Sequence, residues 1–279
     1  MDKIILQKSI TKFKKELFNS ITTAKYNGKV YDNGQKAKEA LIRSQSLIFN
    51  IHESVKKSFF KTLKKKIKLD WKVFPPLKKT NPELKIFGLL KGKKQDLVYL
   101  PIRPKAEYIK EGPNEGIKDS VGYKASSKAI VIGIRSQMSS VNKNFDTLME
   151  RAFAETLNLR LRIPNIVMGE VYLLPIEELD EKEMEKNKIK FSSKVAIEKF
   201  IKIFYSFSKR TDISIENQYK YDSSALILID FKEDPPKFIY NKEDLKKYDL
   251  NNKILDLFDE ISPECFENRL IENYLKFNN

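Results

Sequence analysis

The residue types of this 279-residue chain favour carboxylates for any catalytic chemistry. The chain has one histidine, His52, and one cysteine, Cys265, so Ser-His-Asp and Cys-His nucleophiles lack parts. A disulfide, a cysteine zinc site and an iron–sulfur cluster are excluded within one chain. No P-loop, dinucleotide-binding glycine fingerprint or HExxH motif occurs. Because Mg²⁺ needs only one or two carboxylates and keeps several waters, the composition favours carboxylate chemistry with that cation.

Two polar segments stand where such a site would need them. Asp96 opens a strand directly after a lysine-rich turn, which predicts a carboxylate at a sheet edge, although turn chemistry alone also places aspartates there. The apolar run 129–134 is followed by Arg135, Ser136 and Gln137, which predicts that the strand leaves the core. Side chains alternate along a strand, so Arg135 and Gln137 share a face. An ordinary strand end is the alternative interpretation.

Hydrophobic periodicity predicts the elements that position these residues. Helices are predicted at 3–20, 35–66, 145–159, 193–208, 242–248, 252–260 and 264–276. Strands are predicted at 84–90, 96–101, 129–134, 166–174 and 225–231, the first two joined as a hairpin by a turn at 91–94. The central order is therefore a long helix, three strands, a helix and a strand.

This order resembles the PD-(D/E)XK nuclease superfamily, and more narrowly the type II restriction endonucleases. The resemblance covers residues 36–176 and matches Asp96 to the first acidic residue of that family. The central strand departs from the (D/E)xK pattern, because it offers Gly133-Ile-Arg135 or Arg135-Ser-Gln137. In some members the missing glutamate lies on the following helix, and Thr147–Arg151 is similar to that arrangement. The resemblance then implies that Glu150 is the migrated glutamate and that Gln137 stands at the lysine position.

Two other glutamates compete with Glu150 or assist it. At about 100° per residue, Glu155 falls beside the apolar stripe of its helix and Glu150 farther round, so orientation favours Glu155 and the resemblance favours Glu150. Glu53, on the long first helix of the core, is implied as a further metal ligand. Glu170 lies inside an apolar strand, where a structural pair with an arginine and a role in the site are both open.

The net charge of +15 favours a nucleic acid as the partner, although an AT-rich genome also explains 45 lysines beside eight arginines. The charge is concentrated between residues 56 and 94, where 14 lysines face two acidic residues. Two sets of residues are therefore predicted to contact DNA, one in this basic stretch and one in the polar loop after the central strand: Lys64, Lys65, Lys66, Ser139, Ser140, Asn142, Lys143 and Asn144.

The resemblance implies an α+β fold with a mixed central sheet, flanking helices and helical N- and C-terminal additions. The regions are 1–83 (helical), 84–176 (nuclease-like core) and 177–279 (C-terminal α/β extension). The implied function is a sequence-specific, Mg²⁺-dependent double-stranded DNA endonuclease of a restriction-modification system. Asp96 and Glu150 would hold Mg²⁺, and Arg135 would supply the charge of the usual lysine.

We expect a homodimer, because a two-fold protein matches a palindromic duplex, and a DNA methyltransferase as its genetic partner. A cytoplasmic location without membrane contact is expected, since residues 1–20 do not have the pattern of a signal peptide. Two alternatives are also compatible with the sequence. One is a non-catalytic DNA-binding protein that keeps the nuclease fold, and the other is a protein-interaction scaffold whose charge reflects codon bias.

Overall fold

The computed structural model describes residues 1–278, and its helices follow the predicted order closely. None of the helices in that range is long and apolar enough to cross a membrane. The α-helices are α1 Lys3–Thr23, α2 Gly34–Arg43, α3 Ser46–Lys66, α4 Tyr123–Ser127, α5 Phe145–Arg160, α6 Glu181–Glu185, α7 Ile197–Ser206, α8 Lys242–Leu245, α9 Asn252–Asp259 and α10 Phe266–Asn278. Short 3₁₀ turns lie at Ile215–Asn217 and Lys246–Tyr248.

The strands are short at the start of the chain and long in its centre. They are β1 Lys25–Tyr26, β2 Lys29–Val30, β3 Lys72–Phe74, β4 Lys85–Phe87, β5 Gly92–Lys94, β6 Leu97–Leu100, β7 Glu107–Tyr108, β8 Lys118–Asp119, β9 Ile130–Ser136, β10 Val167–Pro175, β11 Glu177–Leu179, β12 Phe191–Lys194, β13 Ser223–Asp230 and β14 Lys237–Phe238.

Six strands form one mixed sheet in the order β14-β13-β10-β9-β6-β3. The strands β9, β10 and β13 are parallel, whereas β3, β6 and β14 run antiparallel to their neighbours. Every residue of β10 is buried, which is why its sequence is an almost unbroken apolar run. The chain is therefore a mixed α/β protein with a mixed sheet between helices, as the sequence predicts at this level.

Helices cover both faces of the sheet. On one face, α1, α3 and α10 pack through residues such as Phe59 and Phe266 against the side chains of Tyr99 and Ile132. On the other face, which we call the α5 face, α5, α7 and α9 pack on Tyr172 and other side chains of β10 and β13. The apolar stripe predicted between 145 and 159 is the surface that α5 buries.

The predicted helix 35–66 is wrong in its continuity, because the chain turns at Ser44 and Gln45 between α2 and α3. Gln45 has a φ of 60°, a left-handed conformation that ends the first helix. The hydroxyl of Ser44 donates to the carbonyl oxygen of Leu41 at 2.7 Å and so satisfies a free carbonyl at the helix end. The second helix then changes direction and carries His52 towards the sheet.

The predicted hairpin of 84–90 and 96–101 is also wrong in part. The strand β4 pairs with β5 in a separate two-stranded sheet, and β6 pairs instead with β3. The three-residue strand β3 directly precedes Pro75, and the proline-rich segment hides it in the sequence. Strands from all three regions, 1–83, 84–176 and 177–279, consequently share the six-stranded sheet.

A buried charge network fixes α5 to the sheet at the end opposite the exposed end of β9. Asp222, which is 1% exposed, accepts from Arg160 Nη2 at 2.6 Å and from Arg210 Nε at 2.9 Å. It also accepts from the backbone N–H of Met168 at 2.6 Å, and Asn273 donates to its Oδ1 at 3.3 Å. These contacts join the end of α5, the start of β10 and α10 around one carboxylate.

Candidate active site

The register of the sheet places two carboxylates on either side of Gly133. In the β6–β9 pair, Leu97 lies opposite Ile132, so Asp96 lies level with Gly133. In the β9–β10 pair, Glu170 lies opposite Gly133. Neighbouring strands are about 4.8 Å apart, and paired residues point to the same face. Asp96, Gly133 and Glu170 therefore form one row on the α5 face.

The carboxylate of Glu170 fills the space that a side chain at position 133 would occupy. A Cβ atom added to Gly133 would lie only 2.3 Å from Glu170 Oε2. Glycine is thus required at 133 as long as Glu170 keeps this orientation. The central strand has no acidic residue of its own, yet the sheet presents a carboxylate at that point, supplied by β10.

Arg135 connects this row to α5. It lies two residues after Gly133 and on the same face, where its Nε is 3.3 Å from Glu170 Oε1. Its Nη2 donates to Glu155 Oε2, and Lys93 Nζ, from β5, donates to Glu155 Oε1. We use the term carboxylate cluster for Asp96, Glu155 and Glu170. Glu155 of α5 and Glu170 of β10 both pair with Arg135, and Asp96 directly precedes β6.

The protonation of the cluster follows from burial and from the nearby cations. Burial raises the pKa of Glu170 to about 7, because Arg135 opposes the shift only in part and Glu155 and Asp96 add negative charge. Burial also acts to raise the pKa of Glu155, but Arg135 and Lys93 outweigh it and hold that pKa below its ordinary value. Glu155 is therefore ionised near neutral pH, while Glu170 titrates there.

His52 approaches the same end of β9 from the opposite face of the sheet. Its Nε2 lies 3.4 Å from the carbonyl oxygen of Ile134, whose backbone N–H donates to Asp96 Oδ2 at 2.8 Å. Burial lowers the pKa of His52, and the carboxylate of Asp96 partly offsets that effect. The imidazole is consequently neutral at pH 7 and able to accept a proton. The sequence places His52 within a helix but does not predict its contact with β9, because that contact depends on how α3 packs on the sheet.

An open groove of about 330 Å³, which we call the central groove, gives access to Asp96, Arg135 and His52, whereas Glu155 and Glu170 lie behind its lining. It lies between α3 and α5 at the carboxyl end of β9, and its volume is at the lower end of the range for ligand sites. Its polar lining includes His52, Lys93, Asp96, Arg135, Gln137 and Arg151. A ligand in the groove would therefore meet both the carboxylate of Asp96 and several cations.

Neither a family model nor a curated protein nor a solved structure matched this chain. Within residues 1–278, no group of three or more His, Cys, Asp or Glu side chains has an arrangement that would hold a metal ion.

The structure places the other predicted catalytic and metal-binding residues away from the cluster or in other contacts. Glu150 is exposed on α5, whereas Glu155 faces the sheet and pairs with Arg135, which is the orientation that helix geometry predicts. Glu53 accepts from the backbone N–H of Lys78 at 2.9 Å and pairs with Lys56 at 2.9 Å. Gln137 lines the central groove, but its amide donates to the carbonyl oxygen of Ser139.

The residues predicted to contact DNA occupy two different places. In the loop after β9, Ser139 and Ser140 are half-buried, while Asn142, Lys143 and Asn144 are exposed. Asn142 Oδ1 accepts from the backbone N–H of Ala196 at 3.2 Å, and Asn144 stands at the N-cap of α5 without a side-chain capping bond. The three lysines Lys64, Lys65 and Lys66 are exposed at the far end of α3, about 20 Å along the axis from His52.

The raised pKa of Glu170 predicts a pH-dependent stability. A group that is protonated more readily in the folded state stabilises the protein at low pH, so this contribution is lost as the pH rises from about 4.5 to about 7. The loss amounts to roughly 3 kcal/mol. We expect Glu170→Gln to remove this loss, so that denaturant unfolding at pH 5 and pH 8 gives a smaller difference than in the parent protein. The exposed control Glu150→Gln should keep the parent's difference. An unchanged difference in Glu170→Gln would contradict the assignment.

Proposed function

We propose that the chain is a Mg²⁺-dependent endonuclease of the type II restriction class, which hydrolyses phosphodiester bonds in double-stranded DNA. The observation that carries the proposal is the position of the Glu170 carboxylate over Gly133, level with Asp96 and next to Arg135. The three parts of the PD-(D/E)XK pattern then correspond to Asp96, Glu170 and Arg135, and Arg135 lies two residues after Gly133 on β9. The pattern is completed by a neighbouring strand.

The order of elements supports the same proposal. The sheet neighbours β3, β6 and β9 are antiparallel, α5 follows β9, and β10 returns parallel to β9. The resemblance implies a helix, three strands, a crossover helix and a further strand, and the sheet has this order with β3 in the place of the expected strand at 84–90. The proposal thus depends on an arrangement of side chains and on the topology that positions them.

The residues present fit a magnesium ion by their donor chemistry. Glu170 Oε1 is buried and, apart from its ion pair with Arg135 Nε at 3.3 Å, accepts no hydrogen bond from any described residue. Asp96 is partly exposed, and its Oδ1 likewise accepts no hydrogen bond from a described residue. Two carboxylate oxygens and waters are a sufficient ligand set for Mg²⁺. When bound, the ion polarises the scissile phosphate and lowers the pKa of the attacking water. Asp96 and Glu170 would hold it, and Glu155 keeps Arg135 beside them.

The remaining groups have roles that follow from their charge. Arg135 stays protonated, because the charge of Glu170 and Glu155 outweighs the effect of burial and raises its pKa. It can stabilise negative charge on a phosphate but cannot remove a proton from water. His52 is neutral at pH 7 and lines the central groove beside Asp96, so it is placed to accept that proton.

The proposal includes the partners expected from the sequence. The net charge of +15 attracts a polyanion, and a two-fold dimer would match a palindromic site. A cognate DNA methyltransferase and a cytoplasmic location complete a restriction-modification system.

A non-catalytic DNA-binding protein is the second candidate, and one observation favours it. Both oxygens of Glu155 are engaged by cations, Lys93 and Arg135, so much of the negative charge near the groove is already neutralised. Cleavage of plasmid DNA in Mg²⁺, Mn²⁺ or EDTA separates the two candidates. The proposal requires metal-dependent strand breaks, whereas salt-sensitive binding without cutting in either metal would favour the second candidate.

Moving the carboxylate from β10 to β9 tests whether its position over Gly133 is needed for cleavage. We expect Glu170→Ala to lose cleavage. Adding Gly133→Glu to this variant should raise its cleavage rate at least tenfold, because the new side chain enters the space that Glu170 vacates. Gly133→Glu alone should be destabilised, since the Glu170 side chain would have to move and a second carboxylate would lie beside it in a buried place. Initial cleavage rates and unfolding midpoints measure these effects. A folded double variant with no recovery would show that the position over Gly133 has no catalytic role.

A further inference from the structure

A second groove, which we call the hairpin groove, lies beside the central groove on the α5 face. It has a volume of about 320 Å³ and runs between α5 and the hairpin formed by β4 and β5. Its polar lining includes Lys91, Lys93, Gln95, Arg135, Arg151 and Asn158. Three of these cations, Lys93, Arg135 and Arg151, also line the central groove, so the two grooves meet at a shared basic boundary.

The hairpin groove carries an excess of positive charge. Four cations line it, and Glu155 is the carboxylate among its lining residues. Glu155 pairs with Lys93 and Arg135, which leaves Lys91 and Arg151 exposed and without a carboxylate within 4 Å in the part of the chain that the structure describes. Two exposed cations without carboxylate partners in one groove form an environment suited to a phosphate oxyanion.

The hairpin that presents these lysines is held rigidly against α5. Asn158 Oδ1 accepts from the backbone N–H groups of Leu90 at 2.9 Å and Lys91 at 3.2 Å, and its Nδ2 donates to the carbonyl oxygen of Lys91 at 3.0 Å. Leu89 N–H donates to the carbonyl oxygen of Asn158 at 2.6 Å. A Cβ at Gly88 would lie 2.2 Å from that same oxygen, so only glycine permits this approach. The groove is therefore formed before any ligand binds, which reduces the entropy lost on binding.

We propose that the hairpin groove is a phosphate-binding subsite, which takes the backbone phosphate next to the one held in the central groove. The continuity of the two grooves through Lys93, Arg135 and Arg151 gives a strand of nucleic acid a path from one to the other. Identifying the ligand as nucleic acid rests on the proposed function, whereas the affinity of the groove for phosphate does not. Lys91 and Arg151 are the residues of this subsite that would bind the phosphate.

The variant Lys91→Gln/Arg151→Gln tests the subsite in EDTA, where the DNA stays uncut. We expect the slope of log K against log salt for a short duplex to fall by about 2, and the affinity at 0.1 M salt to fall about 10- to 100-fold. The control Lys29→Gln/Lys253→Gln removes the same charge from two exposed lysines outside the groove. An equal change in the control would overturn the subsite, because net charge alone would then explain the effect. Both changes are on the surface, so unfolding midpoints should stay within a few degrees of the parent.

Binding of inorganic phosphate, measured by isothermal titration calorimetry, distinguishes the subsite from the proposed function. If the parent binds phosphate and the groove variant does not, the subsite stands even when duplex DNA does not bind, and only the proposed function fails. If duplex DNA binds equally well to parent and variant with the same salt slope, the subsite fails and the proposed function survives. Loss of phosphate binding in the control as well would also reject the subsite.

Discussion

Asp96→Asn is expected to lower the rate of DNA cleavage by about 1000-fold while the protein still folds and binds DNA. A metal ligand contributes several kcal/mol to stabilisation of the transition state, and about 4 kcal/mol corresponds to that factor. The backbone N–H of Ile134 donates to Asp96 Oδ2 at 2.8 Å, and the amide oxygen of asparagine can accept the same bond. The substitution therefore removes the charge and preserves the end of the strand. Single-turnover cleavage and duplex binding in EDTA measure the two effects.

The only histidine of the chain provides a second readout of Asp96→Asn that does not depend on activity. The Asp96 carboxylate raises the pKa of His52 against the effect of burial. Its removal should lower that pKa further, and an NMR titration of the single imidazole reports the change without assignment. Glu150→Gln serves as the matched control, because Glu150 is exposed on α5 and should leave both cleavage and the titration unchanged. Undiminished cleavage in Asp96→Asn would remove Asp96 from the site.

The parts of the fold that the sequence predicts well are those with a long local pattern. The stripe of Phe145, Leu148, Met149 and Ala152 has the period of a helix, and α5 buries it. The run before Arg135 is short and apolar, and it forms β9 in the centre of the sheet. In contrast, β3 has three residues beside a proline and no readable pattern, and its place in the sheet depends on pairing with β6.

The residues of the candidate site also differ in whether a local sequence pattern predicts their positions. The position of Asp96 at a strand start and the orientation of Glu155 are local properties, and helix geometry alone predicts which glutamate of α5 faces the sheet. The position of Glu170 over Gly133 depends on the register between two strands that are separated by a helix in the sequence. A glycine in the central strand and a glutamate in an apolar strand are the two signals in the sequence, but only the register connects them.

Asp222→Ala is expected to cause the largest loss of stability, about 3–5 kcal/mol at neutral pH, because it leaves two buried guanidinium groups without their carboxylate. Arg160 and Arg210 are both 1% exposed or less, and each donates to Asp222. Burial lowers the pKa of Arg160 to about 10 even with Asp222 present, which shows how much the carboxylate is needed. A loss of this size is a large part of the stability of an ordinary domain.

Urea unfolding of Asp222→Ala, Asp222→Asn and the surface control Asp256→Ala measures this effect. Asp256 is 73% exposed in its side chain, so the control should change the free energy of unfolding by less than about 0.5 kcal/mol. Asp222→Asn keeps the acceptor oxygen but not the charge, and its loss should lie between the other two. A loss below about 1 kcal/mol in Asp222→Ala would mean that the backbone carbonyls around Arg160 and Arg210 satisfy the guanidinium groups without Asp222.

Because Asp222 also accepts from the backbone N–H of Met168 at the start of β10, we expect its removal to loosen the connection between α5 and β10. Glu155 lies on α5 and Glu170 on β10, so we expect the same variant to lose cleavage at temperatures where it remains folded.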